Sequence, residues 1–130
     1  EARCREVMAT KAPFPERLAA LVRAHFATAF ASFGAGEHLA ELKAVIASVA
    51  GHELMIFEST FAAFTRQLFE EADKAGEISL SRAGLDVNAL VATLMQAAAG
   101  AKLGAGTPSC EAYAARLDTI AAVLAAAVAP

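Results

Sequence analysis

Two phenylalanine ladders, Phe26-Phe30-Phe33 and Phe57-Phe61-Phe64, repeat one spacing, a step of four and then a step of three. Such steps set three side chains on one side of an α-helix. Together the ladders take six of the eight phenylalanines in the chain, and their surroundings are largely alanine. Alanine lets helices approach closely, whereas rings either hold them apart or fill the gap between them. The ladders therefore mark where a helical interior is widest. They are either the core itself or the border of a ligand cavity, and periodicity does not choose between the two.

The 130 residues suffice for one domain, which would bury roughly two thirds of its unfolded surface without a disulfide or metal. Hydrophobic residues make up 57% and charged residues 19%. So little charge leaves apolar area that other helices or a second subunit must cover. With 14 acids against 11 bases the net charge is −3, which gives no electrostatic footprint for nucleic acid. Cys4 and Cys110 are too far apart in sequence for a metal or redox pair and read as reduced thiols of a cytosolic protein. No apolar run is long enough to span a bilayer, and no signal-like segment opens the chain, so no membrane contact is expected. The opening Glu-Ala-Arg-Cys-Arg, without a methionine, reads as part of a helix whose upstream portion is missing.

Residues 1–10 form a short amphipathic piece, after which Pro13 and Pro15 break the helix. Pro15 suits a first helical turn, with Glu16 at the positive end. The spacing predicts a helix from Pro15 to about Phe33, with Leu18, Leu21, Val22, Phe26, Ala29, Phe30 and Phe33 inward, stopped by Gly34-Ala35-Gly36. Leu39, Leu42, Ile46 and Val49 repeat at helical spacing up to Gly51. A long helix from His52 to about Ala75 carries Leu54, Phe57, Phe61, Phe64 and Leu68 on one stripe and ends at Gly76. Residues 77–84 are too short and broken for another long helix. Asp86 is placed to cap the next one with its carboxylate, and Val87, Leu90, Val91, Leu94, Met95 and Ala98 form that helix's apolar face up to Gly100. Thr107-Pro108 reads as a cap and first helical position, leading into a seam of Tyr113, Leu117, Ile120, Leu124 and Val128. This predicts an all-α antiparallel helical bundle, with residues 1–10 a connecting helix end and 11–130 the domain proper. The two final helices either complete the internal bundle or share a face with a second copy.

No catalytic constellation emerges: there is no nucleophile–base pair, acidic dyad or metal set, and no cofactor is nominated. His38 and Glu41 form one isolated reversed pair, where a di-iron bundle needs Glu-x-x-His on two helices. His52-Glu53 lacks the second histidine of a zinc hydrolase helix. Neither His25 nor His52 identifies a haem ligand. His25 precedes Phe26 and is either a locally satisfied histidine or a polar handle at a cavity edge. Met55 and Met95 have flexible thioethers that suit irregular ligands or ordinary cores. Thr60 and Thr65 flank the second ladder and either serve a ligand or bond to the preceding turn.

The stretch from Phe61 through Ala72-Asp73-Lys74-Ala75-Gly76-Glu77-Ile78, followed by Asp86 to Gly100, resembles the carboxy-terminal regulatory domain of the tetracycline-repressor-like (TetR) family. There a long helix ends near an Ala-x-x-x-Gly-Glu-Ile or Gly-Glu-Leu element, a short turn follows, and the next helix runs into a glycine. Pro15-Glu16-Arg17-Leu18 resembles the opening of an earlier family helix. The likeness covers nearly the whole chain, most clearly residues 52–128. It implies a cytoplasmic transcription regulator, usually a repressor, acting as a homodimer through a four-helix interface. By that correspondence Val91, Leu94, Met95, Leu117, Ile120 and Leu124 are the expected interface. It also implies a mostly apolar small-molecule effector, with His25, Phe26, Phe30, Phe33, Met55, Phe61 and Phe64 as candidate contacts. The family's helix-turn-helix DNA reader has no counterpart in this chain, so operator DNA would be met only through that missing amino-terminal domain. The alternative is a helical protein-interaction module whose ladders are core and whose final helices recruit a different partner.

Overall fold

The structure, a computed structural model, describes residues 2–33, 59–103 and 106–130, and every regular element among them is helical. Helix α1 covers Ala2–Ala9. The chain then turns through the proline-bearing segment into α2, Phe14–Val22, whose first turn holds Pro15 and Glu16. A proline there sacrifices no helical hydrogen bond, and the carboxylate meets the positive end of the helix dipole. Without interruption α2 passes into a π-helical turn, Arg23–Ala27, and then into α3, Thr28–Phe33. The described part of α4 is 59–74. A single-turn α5, Leu80–Ala83, precedes α6, Val87–Gly100, and α7, Cys110–Ala127.

The helix expected from Pro15 to Phe33 is therefore present, with a change of register that the spacing did not show. A π-turn closes its hydrogen bonds over five residues and so inserts one extra residue into the face pattern. Buried residues step from Leu18 to Leu21, Val22 and His25 by three or fewer, and the next buried residue is Phe30, five further on. Phe26, expected inward, is only partly buried as a result.

Both α4 and α5 end on a glycine with positive φ, Gly76 at 78° and Gly84 at 67°. A side chain is strained in that conformation, and its use lets the following amide turn back onto the helix. Accordingly Glu77 N donates to Ala72 O at 2.9 Å, and Leu85 N to Leu80 O at 3.2 Å. The Gly76-Glu77-Ile78 element also ties distant parts together. The Glu77 carboxylate accepts from Phe14 N at 3.1 Å, satisfying a free amide of α2's first turn, and Ile78 is buried. Ser79 N donates to Val128 O at 2.8 Å, and Arg82 donates to the carbonyls of Ala129 and Pro130, which holds the end of α7 against α5.

The cap of α7 is Ser109, whose Oγ accepts from Ala112 N at 3.1 Å; the expected Thr107 lies two residues too early. Asp86 occupies the N-cap position of α6 as expected, but its carboxylate makes no capping bond. Ring pairs give the helix directions. Phe14 meets Phe69 and His25 meets Phe61, so α2 and α4 run antiparallel. Phe30 meets Tyr113 and Arg23 meets Asp118, so α2 through α3 also runs antiparallel to α7. Tyr113 sits fully buried where these meet α6, donating its hydroxyl to Ala98 O at 2.8 Å. No described helix is long and apolar enough to cross a membrane.

Candidate functional site

The π-turn divides its side chains between two environments. Inward, His25 is 4% exposed and lies flat on Phe61, with ring centroids 4.1 Å apart and 15° between planes. Phe26 meets both rings edge-on, at 4.6 Å from His25 and 5.0 Å from Phe61. Burial lowers the His25 pKa to about 4, so the imidazole is neutral at physiological pH. Phe30 and Phe61 are each 1% exposed. Phe64 is half-buried, with the Arg5 guanidinium 5.9 Å from its ring centre. Thr65 donates its hydroxyl to Phe61 O at 2.9 Å, bonding to the preceding turn.

The structure thus gathers His25, Phe26 and Phe61 into one aromatic cluster, while Phe30 joins Tyr113 and Phe64 faces α1. Met55, Phe57 and the side chain of Phe33 lie outside the described residues, as do His38, Glu41 and His52.

Open space lies on the other side of the same helix. A groove of about 620 Å³ runs between α1 and α2–α3, lined by Arg3, Glu6 and Val7 from one side and by Arg23, Thr28 and Ser32 from the other. Its floor is Ala20, Ala24, Ala27 and Ala31. These alanines recur in steps of four, three and four, so a methyl is the largest side chain on that stripe for three turns. Arg23 is held by Asp118 through Nε to Oδ1 at 2.6 Å and a second bond from Nη2 to Oδ2. The paired guanidinium holds the Asp118 carboxyl below the usual carboxylate range, and the carboxylate in turn raises the Arg23 pKa. Reading the ladders did not locate this groove. The usable signal was the absence of large side chains on one face of a helix whose other face carries Phe14, Leu18, Val22 and His25.

The residues expected at an interface divide as well. Leu94 and Leu117 are 0% exposed, and Val91 and Leu124 are also buried, all by contacts within the chain. Met95 and Ile120 are partly buried against the same core. The apolar seam therefore faces inward. The outward positions are its small neighbours, Ala92, Thr93, Gln96 and Ala99 on α6, and Thr119, Ala122, Val123 and Ala126 on α7. Val123 is 61% exposed. There is no charged residue from Val87 to Gly100 and none from Thr119 to Pro130.

No family model, curated protein or solved structure matches the chain.

Proposed function

We propose that this chain is the small-molecule-sensing and dimerisation domain of a transcription regulator, forming a homodimer through α6 and α7 and meeting operator DNA only through a domain outside this sequence. The observation that carries the proposal is the uncharged outer surface of α6 and of the second half of α7. Helices exposed to water ordinarily carry charge on that face. A face of alanine, threonine and glutamine instead allows a partner helix to approach to about 8 Å, and two such helices from each of two copies make a closed, symmetric contact. The layout of residues 72–78 and 86–100 supports the same reading.

The sensing half is supported by the open groove beside the π-turn, with its floor of alanines. A ligand there acts on DNA binding only to the extent that it favours one arrangement of the two subunits over another. A mass spectrum of the purified chain under native conditions tests both halves. The expected species is a dimer with a reproducible extra mass; an empty monomer contradicts the proposal.

The second reading, a helical protein-interaction module, is favoured by one observation: Phe30 and Phe61 are core rather than cavity wall. A stable monomer that binds a different protein through α6 and α7 would decide for it.

A further inference from the structure

We draw no further inference here: the strongest candidate, the side-chain cluster at the π-turn where His25 lies flat on Phe61 with Phe26 edge-on to both, is distinguished from ordinary core packing only by the lowered pKa of its histidine.

Discussion

A histidine laid flat on a phenylalanine ring inside a helical core makes its own protonation a folding event. The folded His25 has a pKa of about 4 because burial disfavours the cation, whereas an unfolded histidine titrates near 6.5. Between those values the unfolded chain takes up a proton that the folded chain refuses. Stability from this group is therefore complete above about pH 6.5 and is lost as the pH falls toward 4, by at most about 3 kcal/mol. Urea unfolding at pH 7.5 and 4.5 should show that loss in the parent and a clearly smaller one in His25→Phe. Equal losses in both would mean that other groups carry the acid sensitivity. At Tyr113 the phenol's pKa is pushed up to about 12 by burial, and its hydroxyl serves Ala98 O. Tyr113→Phe deletes that bond and should cost about 1 kcal/mol, read as a lower urea midpoint with an unchanged slope. No cost would show that the hydroxyl is only accommodated. The residues that bear on this scale were partly legible. His25 stood out in the sequence as a possible polar handle, but its choice of the inward position over Phe26 depends on the π-turn.

Helix boundaries follow local chemistry, and that part of the sequence is readable. Pro13 and Pro15 end one helix and open the next, and Gly76 stops α4 because the chain there adopts a left-handed turn. The π-turn is different. His25 and Phe26 are adjacent rings, so an α-helical step and a π-helical step each reach an aromatic residue, and periodicity cannot separate them. The cap of α7 was misread for a related reason, since Thr107 and Ser109 have the same capping chemistry and only the backbone decides which hydroxyl meets Ala112 N. Ser109→Ala should cost about 1 kcal/mol and Ser109→Asp much less, measured by thermal unfolding. An equal loss in both would point to a contact other than the cap. Deleting Ala27 should convert the π-turn to regular α-helix, shortening the step between the buried His25 and Phe30 from five residues to four and so leaving Phe30 on the inward face beside Tyr113. The tyrosine near-ultraviolet circular dichroism should largely persist, together with the far-ultraviolet signal. A collapsed near-ultraviolet spectrum would show that the extra residue is needed to seat Phe30 against Tyr113.

At the scale of the whole molecule, the all-helical class and the inward seams of α6 and α7 were accessible from spacing alone. The use of each face was not. A stripe such as Leu94, Leu117 and Leu124 looks the same whether its partner is the same chain or another, and here the chain itself covers it. What remains outside is a surface of small uncharged residues, which composition hinted at but periodicity assigned to no role. Alanine is equally ambiguous on α2 and α3, where its small size leaves a groove. The account therefore depends most on whether the outer faces of α6 and α7 meet a second copy. Sedimentation velocity of the parent chain and of the double variant Ala92→Glu, Val123→Glu addresses this directly, because both sites are exposed and the added charges leave the core untouched. The account predicts a parent dimer and a variant monomer of equal helical content at the same concentration; a parent that sediments as a monomer, or a variant that remains dimeric, would contradict it.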